Sequence, residues 1–152
     1  MSELTDIERQ LLDLLLDGAL PQLETLRRQL EAAKVSARQF SGVGLFTEFE
    51  VPPAVPRVNP PDFVLGDISF ELESVENGGE ALLFVRGGVL EMLEVYNWTD
   101  SWPDSPKLRR ATYVRPAQPL PANPLPLVPT ESRDLEFVAA EIRGEVHERP
   151  SA

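Results

Sequence analysis

The spacing of the apolar residues changes from a helical to a two-residue period near Val43. Before that point leucines recur at helical intervals of about three to four residues, which is typical of a helix with one buried face. From 43 to 51 apolar and polar residues alternate, as they do in a half-buried strand. The change of period predicts an α+β fold, with two N-terminal helices packed on one face of an antiparallel β-meander.

Residues 1–34 contain the start signals of both helices. Thr5 and Glu8 have the spacing of a capping box, in which each side chain binds the backbone N–H of the other residue. Gly18 suits the end of the first helix, and Pro21 suits the first turn of the second. The leucine stripe of this pair either covers the sheet or forms a dimer seam, and covering the sheet is the commoner use.

The region assigned to the sheet, 43–102, includes a hairpin that is apolar on both sides. Gly87 and Gly88 form its turn, because glycine supplies the positive φ that a two-residue hairpin turn needs. The flanking runs, 81–85 and 89–96, place apolar residues on both faces, and strands of this kind are covered on both faces. Two helices cover one face only. The second cover is therefore the C-terminal segment or a partner protein.

The C-terminal part of the chain is rich in proline, with eight prolines between 103 and 129. This composition predicts an extended, polyproline-like strap, followed by a short helix that ends near 143. We expect 105–143 to cover the sheet face opposite the helices. The whole of 1–143 is predicted to form a single domain, and 144–152 a flexible tail.

The charge of the protein is concentrated in one segment. The net charge is −11, and residues 62–104 carry ten acids and one base. Such a segment repels nucleic-acid phosphates and anionic membranes and attracts a basic protein surface. The sequence also lacks a signal peptide and an apolar run of roughly 18 residues, so we expect a cytoplasmic protein.

The residue types needed for most catalytic and metal sites are scarce. The chain has no cysteine, and its one histidine is His147, in the predicted tail. No nucleotide-binding loop or nucleophile motif occurs. Glu71 and Glu73 lie two residues apart, which is typical of a solvated strand surface rather than of a catalytic carboxylate pair. We therefore expect no enzymatic activity, no cofactor and no metal.

Aromatic and acidic residues alternate just after the last predicted strand. Tyr96, Trp98, Asp100 and Trp102 share one side if that strand continues. Aromatic side chains beside acids bind Arg or Lys of a partner, and they also stack on sugars. Alternatively, the two indoles pack beneath the proline-rich strap.

Two functional hypotheses follow from these patterns. In the first, the protein binds a basic protein partner without catalysis, through seven residues of the sheet region: Asp67, Glu71, Glu73, Tyr96, Trp98, Asp100 and Trp102. In the second, Tyr96, Trp98 and Trp102 form a small-molecule or carbohydrate site, with or without catalysis. Strong weakening of binding by salt favours the first hypothesis. A deep pocket that contains a carboxyl group of raised pKa favours the second.

Three stretches of the chain resemble a pattern of small uncharacterised bacterial proteins. The first is Arg38-Gln39-Phe40-Ser41-Gly42-Val43-Gly44-Leu45-Phe46-Thr47, which resembles a GxGF-T-F strand. The others are Leu82-Leu83-Phe84-Val85 and the run from Leu93-Glu94-Val95-Tyr96 through Trp102-Pro103, which resembles an LEGYTY…WP ending with Val95 in place of glycine. Some proteins with this pattern are similar to immunity proteins, which neutralise a toxin by binding it. The resemblance implies a binding function and no catalytic residue.

Overall fold

The computed structural model describes residues 3–98, 101–119 and 126–146, and these form three helices and one seven-stranded antiparallel sheet. The helices are α1 (Asp6–Leu15), α2 (Pro21–Ala32) and α3 (Leu135–Ile142). The strands are β1 (Lys34–Phe40), β2 (Gly44–Glu50), β3 (Phe63–Leu72), β4 (Gly79–Arg86), β5 (Val89–Asn97), β6 (Leu108–Pro116) and β7 (Leu127–Thr130). Their order across the sheet is β1-β2-β5-β4-β3-β6-β7. The predicted α+β class is confirmed.

Both predicted helix starts are confirmed. The Thr5 hydroxyl accepts a hydrogen bond from the Glu8 N–H at 3.3 Å, and the Glu8 carboxylate accepts from the Thr5 N–H at 2.8 Å. Pro21 is the first residue of α2. These contacts satisfy N–H groups that the first turn of α1 would otherwise leave without a partner, and the missing N–H of Pro21 costs α2 nothing.

The predicted turn between β4 and β5 is confirmed as well. Gly87 and Gly88 have φ values of 59° and 81°, a region that side-chain-bearing residues rarely occupy. Gln29 of α2 is fully buried against this turn. Its amide nitrogen donates to the Gly88 carbonyl and its oxygen accepts from the Leu90 N–H, both at 2.9 Å. One α2 side chain thus fixes the hairpin to the helix layer.

All three helices pack against the same face of the sheet, which we call the inner face. Leu11 of α1, Leu23 of α2 and Val138 of α3 belong to one continuous core cluster. The cluster also contains the fully or nearly fully buried side chains of the central strands: Leu45, Leu65, Ile68, Phe70, Leu72, Ala81, Leu83, Val85, Leu90, Leu93 and Val95. The core therefore lies between the helices and the inner face.

The expectation that 105–143 cover the face opposite the helices is wrong. β6 pairs with the free edge of β3, β7 pairs with β6, and α3 joins the inner layer. The edge of β3 carries unpaired backbone groups, which β6 satisfies by extending the sheet sideways. Tyr113 and Ala111 of β6 also pack against the inner core. Within the described part of the chain, the outward side chains of β2, β5 and β4 remain partly or fully exposed.

Candidate functional site

The outer face of the central strands carries apolar and acidic side chains in register. Three strands, β2, β5 and β4, form two complete rows across it. The first row is Phe46, Glu94 and Leu82, and the second is Glu48, Met92 and Phe84. Tyr96 and Glu80 pair beside the first row. We call these eight residues the outer patch.

The outer patch is neither a core surface nor an ordinary solvated strand surface. Its apolar members, Phe46, Leu82, Phe84 and Met92, are each partly exposed, whereas the residues next to them in sequence on β4 and β5 are buried on the inner face. A sheet with one solvated face normally alternates apolar-in and polar-out. The patch combines four partly exposed apolar side chains with three carboxylates and no base, a composition that suits a contact surface.

Glu94 lies at the centre of the outer patch. Its cross-strand neighbours are Phe46 on one side and Leu82 on the other. Burial beside these side chains raises the pKa of the Glu94 carboxyl group above its ordinary value. Within the described ranges, no group forms a hydrogen bond or ion pair with this carboxylate. Glu94 is thus a partly desolvated acid that lacks a cation.

Tyr96 and Glu80 form a fixed pair at one end of the outer patch. The Tyr96 hydroxyl donates a hydrogen bond of 2.5 Å to the Glu80 carboxylate. The two residues are also cross-strand partners on β5 and β4. This bond orients the phenol ring along the outer face, where the sequence interpretation had placed Tyr96 beside acids.

Asp67 does not belong to any exposed surface, so the prediction of an outward-facing Asp67 is wrong. A bulge in β3 places Gly66 and Asp67 opposite the single residue Leu82 of β4. The extra residue turns the Asp67 side chain to the inner face, where it is fully buried. Arg133 binds both carboxylate oxygens, at 2.8 and 2.9 Å.

Arg133, the partner of Asp67, also contacts two other parts of the fold. Its third nitrogen donates to the carbonyls of Leu14 and Asp17 at the end of α1, at 3.1 and 2.6 Å. Its guanidinium carbon lies 5.2 Å from the centre of the Tyr113 ring. The Asp67–Arg133 pair therefore connects β3, α1 and the segment before α3. Its function is structural.

Glu71 and Glu73 lie at the far end of β3 and beyond it. Glu71 forms ion pairs with Arg109 and Arg110 of β6, at 2.6 and 2.9 Å, so its charge is already compensated. Glu73 is exposed, as predicted. Neither residue belongs to the rows of the outer patch. The bases that pair with Glu71 come from β6, a strand that the sequence did not predict beside it.

The two tryptophans lie on different sides of the sheet. Trp98 is 42% exposed and follows Tyr96 at the end of β5. Trp102 instead packs edge-to-face against the inner residue Phe70, with ring centres 6.2 Å apart. β5 ends at Asn97 and Trp102 contacts the inner face, so Tyr96 and Trp102 do not share one side of the sheet. Asp100, the fourth residue of that series, lies outside the described residues.

Two of the hollows in the described part of the chain lie beside α1 and are large enough for a small molecule. A cleft of about 630 Å³ lies between α1, α2 and β1, with a mixed lining of acids, bases and apolar groups. A second hollow of about 460 Å³ is lined mainly by apolar side chains, including Phe40, Leu45 and Trp102, together with Arg38. Arg38 is held by the buried Glu8, at 2.7 and 2.8 Å. This ion pair connects α1 to β1. Neither hollow includes a residue of the outer patch.

The sequence interpretation missed the acids of the outer patch. Leu82, Phe84 and Met92 belong to the hairpin that was predicted to be apolar on both faces, but Glu80 and Glu94 were not among the predicted site residues. The sequence did contain a signal for Glu94. It lies two residues after Met92, and side chains two residues apart on a strand point to the same face. The sequence interpretation also placed Leu90 outward. A one-residue bulge at Glu91 turns Leu90 to the inner face.

No family model matches the chain, and no curated protein or solved structure matches it. Among the described residues, no group of acids and histidine is arranged to hold a metal ion. No helix in that part of the chain is long and apolar enough to cross a membrane.

Proposed function

We propose that the protein is a non-catalytic binding protein that docks a basic protein partner on the outer patch. One observation carries this proposal. Three helices crowd the inner face, while the outer face of β2, β5 and β4 carries partly exposed Phe46, Leu82, Phe84 and Met92 among three acids and no base. Apolar side chains supply the contact area, and the acids select the sign of the partner's charge.

The charge of the protein narrows the class of partner. With a net charge of −11, it repels phosphate backbones and anionic lipid surfaces. A second copy docked through the same patch would place Glu48, Glu80 and Glu94 against equal charges. A basic protein surface has neither disadvantage. The sequence pattern resembles that of small uncharacterised bacterial proteins, some of which are similar to immunity proteins, and this resemblance implies the same class of function.

A photo-crosslinking amino acid tests the proposal in the cells from which the protein comes. It is placed at Leu82 in the outer patch and, as a control, at Glu24, which is exposed on α2. We expect a protein with a basic surface to be captured from position 82 and not from position 24. Identical captures from both positions would contradict the proposal, and so would the absence of any capture specific to position 82.

The captured protein is then purified and its affinity measured by calorimetry. Phe84→Ser should weaken binding about tenfold or more, because it removes a large apolar contact from the interface. Arg28→Ser, on the exposed side of α2, is the matched control and should leave the affinity unchanged. Added salt should weaken binding to the wild type. A Phe84→Ser variant that folds and binds as tightly as wild type argues against docking on the outer patch.

A further inference from the structure

Glu94 differs from the other acids of the outer patch in its surroundings. Phe46 and Leu82 flank it across the strands, and Met92 and Tyr96 flank it along β5 on the same face. Glu48 is exposed, and Glu80 accepts a hydrogen bond from Tyr96. Glu94 alone is both partly desolvated and without a described partner.

Any partner that covers the outer patch removes the water that still solvates Glu94. A carboxylate buried without a partner is strongly unfavourable, so it must either gain a cation or take up a proton. The charged groups nearest to it on the flanking strands are Glu48 of β2 and Glu80 of β4, and both are acids. Tyr96, on its own strand, is the other titratable group of the outer patch. Arg86 follows Phe84 on the same face of β4, but it is paired with Glu91 at 3.8 Å. No group of the outer patch supplies a positive charge, so we expect the cation to come from the partner.

The shape of the site favours arginine over lysine. Phe46 is the cross-strand partner of Glu94, so its aromatic side chain lies on the same face next to that of Glu94. A guanidinium group can bind both carboxylate oxygens while it stacks on an aromatic face, and it is more weakly hydrated than an ammonium group. An ammonium group fits such a site as a compact point charge and loses more hydration there.

We propose that Glu94 is the recognition residue of the outer patch and binds an arginine side chain of the partner, with Phe46 and Leu82 enclosing the ion pair. This inference rests on the proposed function and names its central contact. The partly desolvated Glu94 carboxylate selects the arginine. Glu48 and Glu80 only add negative charge around it.

The test uses peptides selected on the wild-type protein from a random library displayed on phage. Peptides that bind the wild type but not Phe84→Ser are retained as ligands of the outer patch. We expect these peptides to share an arginine. Glu94→Gln should weaken their binding about 10- to 100-fold, the value of a hydrogen-bonded charge pair. Glu48→Gln, the matched control on the same face, should weaken it less than about threefold.

The pH dependence of binding provides a second test that a purely structural role would not affect. If Glu94 binds an arginine, acidification through the pKa of the free Glu94 carboxyl group, which burial raises above 4.5, protonates the carboxylate and weakens binding, and Glu94→Gln reduces this dependence. If the ligand covers Glu94 with apolar groups, binding requires the protonated acid. Acidification then strengthens it and Glu94→Gln tightens it, which would overturn the inference.

The two proposals fail in different ways. If the library yields no peptide that distinguishes wild type from Phe84→Ser, the outer patch does not bind ligands and both proposals fall. If such peptides exist but lack arginine, or bind Glu94→Gln as tightly as wild type, only the role of Glu94 falls. Circular dichroism of each variant verifies that it is folded.

Discussion

Glu8 and Glu94 lie on opposite faces of one sheet, and folding shifts their pKa values in opposite directions. Burial raises the pKa of Glu8, but hydrogen bonds from Arg38, Thr47 and the Thr5 backbone outweigh it, and the net pKa is lowered. Burial also raises the pKa of Glu94, and nothing opposes it. The more deeply buried glutamate is thus the more acidic one. The comparison shows that the supply of partners, more than depth, decides the state of a carboxyl group.

The same contrast extends to the two faces as a whole. On the inner face, each of the buried polar side chains Glu8, Gln29 and Asp67 binds groups from another element of the fold. On the outer face, apolar groups remain partly in water, and Glu94 has no described cation. The inner face therefore contains the core, whereas the outer face leaves apolar side chains and an acid without a described partner partly in contact with water. The predictions below test this division.

The largest loss of stability is expected from Arg133→Met. The substitution leaves Asp67 buried without a cation and removes the hydrogen bonds to the end of α1. The free energy of unfolding, measured by urea denaturation, should fall by about 3–5 kcal/mol. Arg110→Met breaks an exposed ion pair with Glu71 and should cost less than about 1 kcal/mol. If both variants lost the same free energy of unfolding, the buried Asp67–Arg133 pair would contribute no more to stability than the exposed Glu71–Arg110 pair.

Two neighbouring leucines of β4 compare the faces directly. Leu83 is fully buried on the inner face, and Leu82 is partly exposed in the outer patch. Leu83→Ala should lower the free energy of unfolding by about 2–5 kcal/mol because it leaves a cavity. Leu82→Ala should cost less than about 1 kcal/mol, since it removes area that water still reaches. A large loss in Leu82→Ala would show that something covers the outer patch in the isolated protein.

Glu8→Gln should cost about 2 kcal/mol near neutral pH, the value of hydrogen bonds to a charged group. Folding lowers the pKa of Glu8 below its ordinary value of 4.5. Its stabilising contribution is therefore present above that pH and is lost as the pH falls through the folded-state pKa. Urea denaturation at several pH values should show the wild type and the variant converging in acid. Glu24→Gln, on the exposed side of α2, serves as control.

The smallest effect, and one of opposite sign, is expected from Glu94→Gln in the absence of a partner. Folding raises the pKa of Glu94, so the charged carboxylate opposes folding above the ordinary value of 4.5. The variant should be more stable than wild type near neutral pH by a few tenths of a kcal/mol. The difference should shrink as the pH falls through the folded-state pKa and vanish below the ordinary value of 4.5. A destabilised variant would mean that the Glu94 carboxylate has a stabilising partner.

The local features of the fold could be predicted from the sequence. The capping box at Thr5, the start of α2 at Pro21 and the turn at Gly87 and Gly88 each depend on residues close together in the chain. The two-sided apolar hairpin was also recognised, and with it the alternative that a partner protein covers one face. These inferences succeed because backbone preferences act over a few residues.

The errors have non-local causes. The strand β1 was not predicted, because its apolar and polar residues do not alternate regularly. Its position depends on pairing with β2 and on the hydrogen bond from Arg38 to Glu8. Alternation along β3 predicts an outward-facing Asp67, but the bulge turns this side chain inward. Its partner Arg133 is 66 residues away in the sequence, so the pairing could not be predicted locally. The path of the C-terminal segment depends on the free edge of β3. A single sequence records such pairings only weakly.

The connection between Asp67 and Arg133 also has a consequence for the order in which the chain assembles. The strands β3, β4 and β5 follow one another through short turns, whereas Asp67 and Arg133 are separated by 66 positions. Closing the longer loop costs more chain entropy, so the three-stranded meander should form first and the C-terminal elements should dock onto it later. In folding kinetics, Val85→Ala should then slow folding, whereas Arg133→Met should mainly accelerate unfolding.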